Sequence, residues 1–331
     1  MRKKKQQFQD WGTAVDISAF YGRTEELTRL ESWIIQDSCR LVAIVGMGGV
    51  GKTTLVTQLA QQIQDQFDYV FWRSVPTTPD FNDMIIDMLA FISHHQESKL
   101  DINLLIHYLR NHRCLIILDN LETALDAGDT QYNNFLRIIA ETKHQSCVMF
   151  TSRFKSPPIK LLENWSLSVR CLRLLGSSEI AFSLLQSQQL LGTEQQKYQL
   201  CDLYSNNPLT IQIVSHTIID LFDGDIETFI AQKTLLVSQQ INILLEQQLN
   251  SLSILEQQIM YYFATYQQPA KINYLINKLP HIPISHLFQS IENISSRCLI
   301  EKTASKYTLQ PVIIEYVQNY FHKNLDPFMN L

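Results

Sequence analysis

The sequence predicts an α/β chain in which a parallel sheet is covered by helices on both faces and is followed by an all-helical region and a winged-helix region. Three observations carry that class. Short apolar runs alternate with amphipathic helical patterns up to about residue 175, the mark of a buried parallel sheet. Beyond that point helical periods dominate and strand candidates become few. The glycine-rich stretch Gly46 to Gly51 stands directly between the first apolar run and the helix that follows it.

In chain order, residues 1 to 18 lack a sustained period and read as an arm or linker. A helix is expected from Thr24: Thr24 caps it, Glu25 and Glu26 suit its first turn, and Leu27, Leu30 and Ile34 repeat at helical spacing. Leu41 to Val45 is a buried strand. Thr53 to Gln66 is a helix with Leu55, Leu59 and Ile63 on one stripe, and Tyr69 to Val75 is the next strand. Helices over Phe81 to Ser93 and Asn103 to Asn111 lead to strand Cys114 to Leu118; a helix over Phe135 to Thr142 leads to strand Cys147 to Phe150. The helical region holds Ser178 to Gln189, Gln195 to Tyr204, Leu209 to Leu221 and Ile226 to Gln232. After a Gln-rich stretch come Ser253 to Tyr266, a helix over Ser285 to Ser296, and two strand signals, Leu299 to Lys302 and Tyr307 to Leu309. Helices followed by a small hairpin suggest a winged helix. The repeated Gln-Gln pairs sit within helical patterns and are read as solvated helix faces.

With 331 residues, 45% of them hydrophobic, the chain can bury a large core in about two or three domains. A net charge of −5 and a pI near 6.0 argue against a broadly basic, nucleic-acid-coating surface. Arg2, Lys3, Lys4 and Lys5 form the concentrated charge and read as a solvated tail. No signal peptide or membrane-length apolar run is present, so a cytoplasmic protein without membrane contact is expected. The six cysteines are scattered, with neither Cys-x-x-Cys nor metal-type spacing, and are read as reduced. His94 and His95 are adjacent, so a helix points them in different directions; they read as exposed helix-end residues.

Gly46-Met47-Gly48-Gly49-Val50-Gly51-Lys52-Thr53 fits G-x-x-x-x-G-K-[ST] and is followed by Thr54. In that spacing the backbone folds into a nest of amide N–H groups that a Cβ would obstruct. The next helix aims its positive end at the same anion, Lys52 adds charge toward the β- and γ-phosphates, and the Thr53 hydroxyl is a magnesium ligand. Apolar strand before and amphipathic helix after supply the context a P-loop needs. "CLIILDN" delivers Asp119 at the C-terminal edge of a neighbouring strand, where a carboxylate holds the metal through water. "VMFTSR" brings Arg153 to the same edge, either to read a γ-phosphate or as a surface ion pair.

Together these residues resemble the NB-ARC family of signal-transduction P-loop ATPases (STAND proteins), and among them bacterial, notably cyanobacterial, members that often carry WD repeats. The resemblance runs from "DWGTAVDISAFYGRTEEL" to "YTLQPVIIEYV". It implies a P-loop nucleotide-binding domain over residues 19–174, a helical domain over 175–237 and a winged-helix domain over 238–331, clasping ATP or ADP with Mg²⁺. "FYGRTEEL" matches the segment lining the adenine side, which implies base-proximal roles for Tyr21, Gly22 and Arg23. "NNPLTI" is similar to the GLPL motif, whose proline packs on adenine, here Pro208. At "LQP" the family's nucleotide-touching histidine is replaced by Gln310. Asn206 or Asn207 stands where GLPL has glycine, and both tolerate left-handed backbone. The second acid that follows the magnesium aspartate in the family is Asn120, which cannot take a proton; Glu122 is either its substitute or a solvated loop acid. Slow or absent hydrolysis is expected.

The function this implies is a switch in signal transduction or defence: ADP holds the domains closed, and exchange for ATP exposes a self-associating face. An effector or sensor acting in trans is the implied partner, because nothing repeats internally at 20 to 50 residues. A DNA-binding regulator is the rival reading, but Ser285 to Ser296 has little cationic charge before Arg297, which argues against DNA. A robust ATP hydrolase would need a water-activating acid that the sequence does not identify.

Overall fold

Buried parallel strands need their backbone groups paired and both faces covered, and the first half of the chain meets that need. The structure, a computed structural model, describes residues 7–17, 20–75, 80–126, 128–235, 238–266 and 268–324. It divides into two compact units: the described residues up to Gly46 together with Gly51–Leu174, and Met47–Val50 together with the described residues from Leu175. The basic stretch Arg2 to Lys5 lies outside the described residues.

In the first unit the elements are β1 (Phe8–Asp10), α1 (Thr24–Glu31) continued by a π-helical turn (Ser32–Gln36), β2 (Leu41–Val45), α2 (Lys52–Ile63), β3 (Tyr69–Ser74), α3 (Phe81–Ile92), α4 (Ile102–Asn111), β4 (Cys114–Asp119), α5 (Glu122–Asp126), α6 (Thr130–Glu141), β5 (Cys147–Ser152), α7 (Pro157–Trp165) and β6 (Val169–Arg173). The sheet order is β1-β3-β4-β5-β2-β6, and every pair is parallel. β2, β4 and β5 are buried at every position. One face, with Phe71, Ile116 and Phe150, packs on α3, α4, α6 and α7 through Leu89, Leu109, Phe135 and Ile159. On the other, α2 packs on β4 and β5, and α1 on α2.

Several local expectations are corrected. Residues 8–10, read as part of an arm, are an edge strand: Phe8 N–H donates to the Asp68 carbonyl, and the ring stacks on Tyr69 at 5.4 Å. β6 carries no strand signal in the sequence because its edge position buries only Val169 and Leu172, which leaves no apolar run. Thr24 is the first helical residue rather than the cap; left-handed Arg23 (φ 61°) precedes it and accepts from Leu27 N–H through its carbonyl. α6 begins five residues before Phe135, because the Asp129 carboxylate accepts from the N–H groups of Gln131 (2.7 Å) and Tyr132 (3.4 Å). His94 and His95 are exposed at the end of α3, where the His94 ring packs edge-on against Phe8.

The second unit comprises α8 (Ser178–Ser187), α9 (Glu194–Leu203), α10 (Pro208–Phe222), α11 (Ile226–Ala231), α12 (Gln239–Leu249), α13 (Ile254–Tyr266), α14 (Ile272–Lys278), α15 (Ile284–Ser296), β7 (Glu301–Thr303), β8 (Lys306–Thr308) and α16 (Pro311–Asn324). One continuous apolar cluster runs from Ala181 through Val214, Leu245 and Phe263 to Phe321. β7 and β8 form an antiparallel hairpin whose turn residues Ala304 and Ser305 both have positive φ, as a two-residue turn of this hand requires. The hairpin starts later than expected because Leu299 and Ile300 are spent on the core. The glutamines are largely solvated, but Gln248 is buried at 8% exposure, an exception to the solvated-face reading.

All six cysteines are free. Burial pushes the thiol of Cys147 far up, and that of Cys201 to about 12, so neither is a thiolate nucleophile near neutral pH. Among the described residues no helix is long and apolar enough to cross a membrane.

Candidate functional site

β2 ends at Val45, and Gly46 N–H donates to the Ser152 carbonyl (3.2 Å), which ties the start of the glycine stretch to the end of β5. Gly51 precedes α2 with φ +94°, a conformation side chains resist, and apart from its chain neighbours no protein atom lies within 4 Å of where its Cβ would stand. The backbone there needs glycine, and a side chain is excluded by its conformation rather than by a neighbour. Lys52 opens α2 largely buried, and its Nζ donates to the Gly46 carbonyl at 2.8 Å. The ammonium is thereby bent back over the loop. Thr54, one residue beyond Thr53 on the first turn, is half-buried.

Asp119 is the hub of the polar cluster. At 3% exposure it accepts from the Thr53 hydroxyl (2.9 Å to Oδ1, 3.0 Å to Oδ2), the Thr151 hydroxyl (2.5 Å) and the Asn120 side-chain amide (3.0 Å). Asn120 is left-handed (φ 60°) and its backbone N–H donates to Thr151 Oγ1 (2.9 Å), while Leu121 N–H donates to the Thr151 carbonyl (3.0 Å). The ends of β4 and β5 are thus stitched to each other and to the first turn of α2. Thr151 was not among the residues expected here; its place two positions before Arg153, on an apolar strand end, was the available signal.

Arg153 follows β5 directly, and its Nε pairs with Glu122 Oε1 at 3.1 Å. Glu122 begins α5 with only 14% of its side chain exposed, against 33% for Arg153. It is therefore not a solvated loop acid. Its second oxygen, Oε2, is buried and has no hydrogen-bond partner among the described residues.

The donor set suits a magnesium polyphosphate. Thr53 and Asp119 offer the hard oxygen ligands Mg²⁺ takes, and the ion keeps waters and phosphate oxygens for its remaining positions. Among the described residues no group of three His, Cys, Asp or Glu side chains is placed to hold a metal. In the segment that the resemblance assigns to the base, Tyr21 is 51% exposed, Gly22 is left-handed, and buried Arg23 pairs with Glu26 at 2.8 Å.

In the second unit Met47–Val50 are held by the start of α10. A turn brings Val50 N–H to the Met47 carbonyl (3.4 Å); the Asn207 side-chain amide donates to the Gly48 carbonyl (2.9 Å), and Leu209 N–H to the Gly49 carbonyl (3.3 Å). Asn206 is the left-handed residue (φ 56°), whereas Asn207 is extended and caps α10 by accepting from Thr210 N–H. Pro208 stands at the first helical position, where its missing N–H costs nothing. Gln310 donates to Glu301 (3.0 Å) and lines a cavity with Met47, Gly48, Asn207 and Gln248. Tyr204, Asn207, Thr210 and Gln248 line the same cavity and are polar residues to which the sequence gives no binding role.

The NB-ARC domain family model matches residues 23–188. The chain belongs to the NB-ARC family. An uncharacterised WD repeat-containing protein of Nostoc is 39% identical over 94% of this NB-ARC chain, and this chain spans only 27% of that protein's length. A disease resistance protein of Oryza sativa subsp. japonica is 30% identical over 36% of this chain and 12% of its own length. The Walker-type ATPase structure from Pyrococcus abyssi covers 90% of this chain and 96% of its own, with a TM-score of 0.65 at 15% identity. That likeness shows a common fold.

Proposed function

We propose that this NB-ARC chain is an adenine-nucleotide switch that binds ADP or ATP with Mg²⁺ and hydrolyses ATP slowly or not at all. The single observation behind the reading is the group at the end of the sheet, where Thr53 bonds Asp119 and the neighbouring Lys52 folds its ammonium back onto the Gly46 carbonyl at the start of the glycine stretch. Lys52 exchanges the Gly46 carbonyl for β- and γ-phosphate oxygens, α2 presents its N-terminal amides, and the pair Thr53 and Asp119 receives the metal. Mg²⁺ held by Thr53 and Asp119 would supply charge neutralisation for the phosphates. Arg153 reads the γ-phosphate.

Slow turnover follows from Asn120. Its amide donates to Asp119, and an amide cannot take the proton of an attacking water. Pro208 and the segment Tyr21 to Arg23 are the base-side candidates, and Gln310 the uncharged replacement for the family histidine. In this reading residues 175–237 and 238–331 act as a helical and a winged-helix domain, and exchange of ADP for ATP frees a self-associating face. A nucleotide biases such an equilibrium only through different affinities for its two arrangements. Effector and sensor partners follow from the family, not from a surface of this chain. No observation favours DNA: α15 carries no lysine or arginine.

The test is direct. Purified protein is denatured and the released nucleotide identified by chromatography; retained ADP is the expected outcome. Lys52→Ala is expected to weaken calorimetric affinity for both nucleotides about 10- to 100-fold, the scale of a lost charge-assisted hydrogen bond. Unchanged binding together with an unchanged ADP/ATP difference in protease resistance would refute the switch.

A further inference from the structure

We infer that Glu122 is a specificity-determining residue: by holding Arg153 it biases the site toward ADP and makes ATP binding conditional on breaking an internal ion pair. The inference rests on the nucleotide reading above and adds a competitor to it. Arg153 is spoken for, with Nε 3.1 Å from Glu122 Oε1. The acid is three residues beyond Asp119 on the same strand-to-helix connection, so both carboxylates belong to one edge of the sheet. Glu122 has few alternatives to Arg153, because it is mostly buried and its Oε2 has no hydrogen-bond partner among the described residues.

A buried carboxylate left without its cation carries a large desolvation penalty. A γ-phosphate makes the same demand on the same guanidinium and adds negative charge beside the acid that loses it. ADP makes no such demand. The pair therefore penalises ATP and leaves ADP untouched, which is the differential interaction that a two-state switch needs. Glu122 needs no contact with the nucleotide for this; it acts through Arg153.

Calorimetry with Mg-ADP and with a non-hydrolysable imido analogue of Mg-ATP tests the idea on the full chain. Glu122→Gln keeps the size and the acceptor but removes the charge. It is expected to raise the ATP-analogue:ADP affinity ratio on the order of tenfold, within the usual range of coupled sites. Glu122→Asp, which keeps the charge, is expected to stay close to wild type. In an Arg153→Ala background Glu122→Gln is expected to change the ratio less than twofold, since the pair is already gone. A ratio that stays constant or falls in Glu122→Gln, or the same gain in both backgrounds, overturns the inference; urea midpoints for each variant separate these outcomes from loss of fold. Failure of the underlying nucleotide reading has a different signature, namely no heat from either nucleotide with the wild-type protein.

Discussion

Two polar clusters, one in each unit, are built on opposite principles. At the sheet edge of the first unit, buried Asp119 is satisfied by Thr53, Thr151 and Asn120, and the strands that present these groups are buried along their whole length. In the second unit, the groups near Met47–Val50 are only partly satisfied: Asn207 binds the Gly48 carbonyl and caps α10, but buried Gln248 Oε1 and Asn206 Oδ1 have no hydrogen-bond partner among the described residues. A fully paired buried network specifies one geometry, while a half-paired one carries a penalty that a change of partner can relieve. The fully paired Asp119 group fits the proposed metal-phosphate site, whereas the half-paired groups, Glu122 at the same sheet edge as well as those near Met47–Val50, fit the parts of the proposed switch that rearrange.

Substitutions can break or sharpen that contrast. The largest effect is expected from Asp119→Ala, which strands the buried Thr151 hydroxyl and the Thr53 hydroxyl together; urea unfolding should record a loss of about 2 to 3 kcal/mol. Asn207→Ala removes a helix cap as well as the bond to Gly48, and about 1 kcal/mol is expected from the same titration. Gln248→Met replaces an amide whose oxygen is buried and unpaired among the described residues with an apolar chain of similar volume, so a change between zero and about 1 kcal/mol of stabilisation is expected. Should Gln248→Met cost as much as Asp119→Ala, the contrast between the clusters fails.

The smallest effect concerns pH and serves as a reference for the first unit away from its site. His144 accepts from Ser146 N–H at Nδ1 (3.3 Å), and its Nε2 lies 3.0 Å from the Ile139 carbonyl, so both bonds suit the neutral ring. Burial pulls its pKa below the ordinary 6.5. The unfolded chain therefore binds the proton first: stability is full above pH 6.5, falls as pH drops toward the folded value, and levels off below it. A shallow decline in the urea midpoint over that window is expected, and His144→Gln should flatten it.

Much of the site was legible in the sequence because its parts are local. A glycine turn between an apolar run and a helix, and acids or arginines at the ends of apolar runs, are patterns within a few residues of one another. Gly46 to Thr53, Asp119 and Arg153 could be read that way. Thr151 had only its nearness to Arg153 as a signal, because a threonine on a buried strand acquires a role only when β4 lies beside β5. Edge strands escaped for a related reason: β1 and β6 bury too few residues to carry an apolar signature.

The sequence by itself determined the α/β class, the phosphate-binding loop and the carboxylate strand, since burial periodicity and backbone permissiveness are properties of short segments. Only the tertiary structure decided which groups share a proton or a charge. That Glu122 belongs to Arg153, that Asp119 gathers two hydroxyls and an amide, and that Gln248 lies buried among helices follow from the packing of distant segments. Coulomb and hydrogen-bond energies depend on ångström separations that no spacing along the chain encodes.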